Sequence, residues 1–78
     1  MNESQFYILV KSTYYIHKKP FISYGVALVE PGEPVDIVIK TIGNLSCERK
    51  PVLVFIDLCN RLCPDLAQFD EMIEEFLS

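Results

Sequence analysis

Lys50-Pro51-Val52-Leu53-Val54-Phe55-Ile56-Asp57-Leu58-Cys59-Asn60-Arg61-Leu62 decides the fold of this chain. The apolar run from Val52 to Ile56 suits a buried strand or a buried helix, because periodicity alone does not separate the two. We read a helix, since Leu58 to Leu62 carries the pattern past strand length. Ser46 is a candidate N-cap with Glu48 in the first turn. The helix then starts at Cys47, or slips to Pro51, where proline suits the first helical position. Pro64 stops it after Leu62. Read as a strand, the same run would feed Cys59 and Cys63 in a thioredoxin-like arrangement. That redox motif has two residues between its cysteines and this chain has three. The residues that follow do not supply the rest of such a fold.

Downstream, Asp65 and Gln68 have the form of a capping box. Leu66, Phe69, Met72, Ile73 and Phe76 then share one helical face, and Asp70, Glu71, Glu74 and Glu75 share the other. The apolar stripe reads as a packing face rather than a cofactor site.

Upstream lie three strands. Phe6 to Ile16 is rich in β-branched and aromatic residues and has no Gly or Pro. Its even positions (Phe6, Ile8, Val10, Ser12, Tyr14, Ile16) are more apolar than its odd ones, but the alternation is imperfect and both faces are expected to be partly covered. His17-Lys18-Lys19-Pro20 reverses the chain. A second strand runs from Phe21 to Glu30, with Gly25 marking a bulge or a close backbone approach. Pro31-Gly32-Glu33-Pro34 is a turn. A third strand runs from Val35 to Ile42, its odd positions Val35, Ile37 and Ile39 expected to meet the core. Gly43-Asn44 ends it. Short connections favour an antiparallel meander. The expected architecture is one α+β domain over residues 1–78: three antiparallel strands, then two helices packed on one face.

Four segments, Ser23-Tyr24-Gly25, Leu45-Ser46, Leu58-Cys59-Asn60 and Glu74-Glu75-Phe76-Leu77, occur in an order that resembles a family of small uncharacterised proteins from Gram-positive, spore-forming bacteria, a domain of unknown function. The resemblance covers about Tyr14 onward and implies the same layout and no activity. The chain departs from the family pattern in the apolar run Val52 to Ile56, where the family's helix is mostly charged outside. It also has Gln68 where the family often carries a histidine, which argues against chemistry by that histidine.

At 78 residues with 50% hydrophobic composition, the chain suits one simple, densely apolar core. The formal net charge of −4 comes from 11 acidic and 7 basic residues. Asp65, Asp70, Glu71, Glu74 and Glu75 crowd the end, whereas phosphate binding needs the opposite sign, so no nucleic acid is expected. Met1-Asn2-Glu3-Ser4 has no basic n-region of a signal peptide, and no apolar run approaches the roughly 20 residues of a membrane span. Three cysteines, an odd number, argue against a disulfide framework and for a reducing, cytoplasmic setting.

Catalytic parts are scarce. His17, the only histidine, lies in a lysine-rich turn and reads as solvated rather than as a general base. Three scattered glycines make no phosphate-cradling loop. Cys59 and Cys63, four apart, share a helical face, but a zinc site needs two more ligands. Cys47, Cys59 and Cys63 read as small buried hydrophobes. No enzyme, cofactor or metal is expected.

At about 100° per residue, Val52, Phe55, Ile56, Cys59, Leu62 and Cys63 fall on one side of the first helix, with Asp57, Asn60 and Arg61 opposite. Leu53 and Val54 fall among those polar residues and are expected at the surface. Leu53, Val54, Asp57 and Arg61 are therefore the candidate interface, for a homodimer or a protein partner. The outer strands offer a second route by edge pairing. The reading is a non-enzymatic interaction or regulatory module. The alternative is a small redox or metal-binding protein using Cys59 and Cys63.

Overall fold

The structure, a computed structural model, describes residues 5–78, so the signal-peptide reading of Met1 to Ser4 lies outside it. Three strands, β1 (Phe6–Ile16), β2 (Lys19–Glu30) and β3 (Ile37–Ser46), precede two helices, α1 (Arg49–Leu62) and α2 (Leu66–Leu77). The strands form an antiparallel meander in the order β1-β2-β3. The expected α+β architecture is the one observed, with both helices on one sheet face. The shortest dimension, 19 Å, is that of two layers.

The β1–β2 turn is tighter than the sequence suggests. Ile16 pairs with Lys19, and His17 and Lys18 both take positive φ, 52° and 67°. Two left-handed central residues make a type I′ turn, whose twist matches that of the strands it joins. β2 thus begins at Lys19 rather than Phe21 and includes Pro20. Pro20 pairs with Tyr15, in the same alternation that turns the backbone groups of Tyr7 outward. Its nitrogen points away from β1, toward a flank that β3 never reaches, so no ladder bond is lost.

β3 begins at Ile37, two residues later than expected, and passes through Gly43-Asn44 to Ser46. Two register shifts permit this: Ile39 bulges between Lys40 and Val38, and β3 bulges again opposite Gly25. A Cβ on Gly25 would run into the Ile42 carbonyl oxygen and sit 2.8 Å from the Gly43 backbone. The glycine read as a close approach is one, and the β3 backbone it faces cannot yield.

The core-facing positions depart from expectation. The helices cover Tyr7 and Leu9 of β1, Val26 and Leu28 of β2, and Ile42 and Leu45 of β3. The even face of β1 lies on the opposite side. Both faces are apolar from Phe6 to Val10, so alternation could not choose between them. In β3 the helices meet Lys40 and Ile42, while Ile37 and Ile39 are exposed and Val35 precedes the strand. The bulge at Ile39 changes the parity along the strand, since one extra residue turns the following side chains over.

α1 is capped by Glu48 without a side-chain bond, and Ser46 Oγ accepts the Glu48 N–H at 3.0 Å instead. Glu48 is thus outside the helix. Pro51 is the third helical residue, where its absent N–H would have had no helical partner. Val52, Phe55, Ile56 and Cys59 are buried, but Leu62 and Cys63 are exposed. Cys63 takes φ 48° and ψ 56°, the left-handed residue that ends the helix before Pro64. α2 carries the expected capping box, Gln68 N–H to Asp65 Oδ1 at 2.8 Å and Asp65 N–H to Gln68 Oε1 at 3.1 Å. Phe69 and Ile73 are buried, Met72 and Phe76 half-buried, and Leu66 exposed.

Tyr7, Phe69, Phe55 and Phe76 form an aromatic chain through the core, with ring centroids 5.1, 6.4 and 5.1 Å apart in sequence. Burying such rings supplies area and oriented contacts worth about 0.5–1.5 kcal/mol per pair. Asn60 locks the β1 edge to α1. Its Nδ2 donates to the Tyr7 carbonyl at 3.1 Å and its Oδ1 accepts the Tyr7 N–H at 2.8 Å.

Candidate interaction surfaces

The expected interface residues lie on α1, and the fold separates their roles. Val54 is 65% exposed, whereas Leu53 is half-buried. Asp57 and Arg61 are exposed and bound to each other, Arg61 Nη2 to Asp57 Oδ2 at 2.7 Å. Such a pair contributes roughly 0.3–0.5 kcal/mol to a helix and satisfies its own charge. Leu58 and Leu62 continue from Val54 as an exposed ridge. The i, i+4 spacing of positions 54, 58 and 62 is the signal that would have found them.

Cys59 and Cys63 sit in different surroundings. Cys59 is fully buried, and burial pushes its thiol from 9.0 to about 11. A thiol held protonated at neutral pH is a poor nucleophile and ligand. Cys47 and Cys63 are exposed, not buried as their composition suggested. Tyr7 is raised as well, first by burial and then by Cys59, Cys63 and Asp65. Its hydroxyl donates to the Pro64 carbonyl at 3.3 Å. Among the described residues no group of three His, Cys, Asp or Glu is placed to hold a metal ion. His17 stands at the hairpin tip.

A further apolar surface lies outside the candidate residues of α1. On the sheet face away from the helices, Phe6, Ile8 and Val10 of β1 lie opposite Val29, Ala27 and Gly25 of β2. Val38 of β3 joins them beside Val29. Ala27 and Val29 are buried between flanking strands, but Ile8 is 41% and Val38 58% exposed. Further out, β3 stops pairing at Tyr24–Ser46, and the β1–β2 hairpin continues as two strands. There Tyr14 and Phe21 (50% exposed) extend the same face. A groove of about 530 Å³ beside them is lined also by Asn44 and Cys47. At its root Ser23 is buried, its hydroxyl donating to Asn44 Oδ1. The clue in the sequence was the unbroken apolar run Phe6 to Val10, which puts hydrophobes on both faces.

The acidic cluster of α2 lies on the helical layer instead. Asp70 of α2 reaches Lys40 of β3 at 2.7 Å, while Glu71, Glu74 and Glu75 are exposed. No helix is long and apolar enough to cross a membrane among the described residues.

Fold and surfaces together define a two-layer α+β domain with an apolar sheet face that its helices leave uncovered. In comparisons with protein-family models, curated proteins and solved structures, nothing matches this chain.

Proposed function

We propose that the chain is a non-enzymatic interaction module that self-associates through the bare face of its sheet, working in a reducing cytoplasm. The carrying observation is the apolar strip of Ile8, Val38, Tyr14 and Phe21, exposed on the side the helices leave open. A sheet face of this composition is ordinarily covered by a second layer.

Size favours a second copy as that layer. With strands about 4.8 Å apart and about 3.3 Å per residue, the face measures roughly 14 by 23 Å where three strands pair and roughly 10 by 13 Å along the hairpin beyond, or about 450 Å². Two such faces together come to about 900 Å², close to the approximately 1,000 Å² that specific interfaces require. Charge favours it too. On β1 and β2 the face carries no charged side chain between Phe6 and Phe21, and Lys19 lies only at the tip. Face-to-face pairing puts the acidic α2 helices on the outside of an α-β-β-α stack, so two chains of charge −4 meet without like charges in contact. Kinship with the spore-former family, carried by the four shared segments, belongs to the same proposal and adds no activity.

Sedimentation equilibrium tests the reading. Wild type is expected at twice the 9.0 kDa chain mass, and Ile8→Lys/Phe21→Lys at the single-chain mass with an unchanged far-UV spectrum. A monomeric wild type, or a variant that stays dimeric, overturns it. Val54→Lys separates the α1 route, since a mass change there moves the interface to the candidate residues Leu53, Val54, Asp57 and Arg61.

A further inference from the structure

We infer that the seam between α1 and α2 is a docking groove for a cationic amphipathic helix of another protein. Two adjoining hollows of about 320 and 250 Å³ run along this seam and share Met72 and Glu75. Leu58 and Leu62 supply the α1 wall, and Met72 and Phe76 the α2 wall. From Gln68 to Phe76 the groove spans about 12 Å of α2, or roughly two helical turns. That length takes apolar anchors at i, i+3 or i+4, and i+7 of an incoming helix. The half-buried Met72 gives the groove a flexible, polarisable wall.

The rim specifies charge. Glu71 and Glu75 line the hollows, and α2 carries no Lys or Arg. On the α1 side, Arg61 is already bound to Asp57. The uncompensated charge along the groove is therefore negative, and it complements Lys or Arg flanking the apolar stripe of a partner. A second copy does not fit here. Its net-positive helix, α1 (Arg49, Lys50 and Arg61 against Asp57), already packs its apolar face into its own core and forms a wall of its own groove, and its acidic α2 would meet this one. The groove is distinct from the sheet face, so the two proposals stand or fall separately.

The test uses the full chain and a labelled helical Leu/Lys peptide with leucines at i, i+3, i+4 and i+7, followed by fluorescence anisotropy and by amide shifts. Binding is expected, with the largest shifts at Leu58, Leu62, Met72 and Phe76. Affinity is expected to fall roughly tenfold in Glu71→Lys/Glu75→Lys and with salt raised from about 50 to about 300 mM. The isosteric Glu71→Gln/Glu75→Gln variant, if the lysine variant misfolds, should lose affinity in the same direction. An equal affinity for a Leu/Glu peptide, shifts centred elsewhere, or charge variants that bind normally would overturn the inference. Repeating the titration on Ile8→Lys/Phe21→Lys separates the proposals, because undiminished binding there supports the groove whatever the mass of wild type.

Discussion

Asn60→Ala should destabilise this domain by about 2–3 kcal/mol, far more than an exposed helical side chain ordinarily contributes. The side chain satisfies both backbone groups of Tyr7 on the outer edge of β1, at 2.8 and 3.1 Å. Two hydrogen bonds at a net of about 0.5–1.5 kcal/mol each set the lower part of the range. Tyr7 is buried, and leaving its N–H and C=O without partners adds part of a desolvation penalty of about 1–3 kcal/mol per group. The loss also loosens a residue whose ring packs at a tilt against Phe69, centroids 5.1 Å apart, and whose hydroxyl reaches Pro64. For a domain of this size, about 4–8 °C per kcal/mol translates the change into a melting point lower by roughly 10–20 °C. Urea unfolding at one fixed protein concentration measures it, since association would otherwise shift the midpoint. Asp57→Ala is the control, on the same helix with only an exposed ion pair to lose. If Asn60→Ala costs less than about 0.5 kcal/mol, or no more than Asp57→Ala, then β1 is not held to α1 through this residue and the reasoning fails.

His17→Asn/Lys18→Gly should stabilise the domain by about 1 kcal/mol, because it puts residues that accept positive φ into a turn where both central residues require it. A denaturation midpoint that does not rise would show that the turn carries no such strain. Stability should also fall between pH 9 and pH 11. The Cys59 thiol is raised from 9.0 to about 11 in the fold, so over that window the unfolded chain gives up its proton while the folded chain keeps it. The contribution is complete below pH 9, and about 2–3 kcal/mol is lost by the time the folded thiol ionises. Tyr7, raised from 10.0, adds in the same direction. Cys59→Ala should flatten the decline in urea midpoints across this window, and a parallel decline in that variant would assign it elsewhere.

Local signals in the chain were strong for the helices and weak for the sheet. The capping box at Asp65 and Gln68, the stop at Pro64 and the buried part of the α1 stripe, Val52, Phe55, Ile56 and Cys59, depend on neighbours three or four residues away and were readable, whereas Leu62 and Cys63, expected in the same stripe, are exposed. Gly25 was readable too, since a glycine inside a strand signals backbone closeness even before the neighbour is known. The candidate interface was only partly legible. Val54 stands out at the surface, but Leu53 sinks halfway into the domain, and the exposed ridge runs on through Leu58 and Leu62.

By itself the sequence determined the order of elements, three strands and then two helices, because turn residues and side-chain periodicity act over a few positions. Only the tertiary structure decided which side of each strand meets the helices. Phe6 to Val10 is apolar on both faces, and a single bulged residue, Ile39, reverses the sense of β3. That choice is made by the register between distant strands and by where α1 lands. It sets Tyr7, Val26 and Leu28 against the helices and leaves Ile8, Val38 and Phe21 open to water.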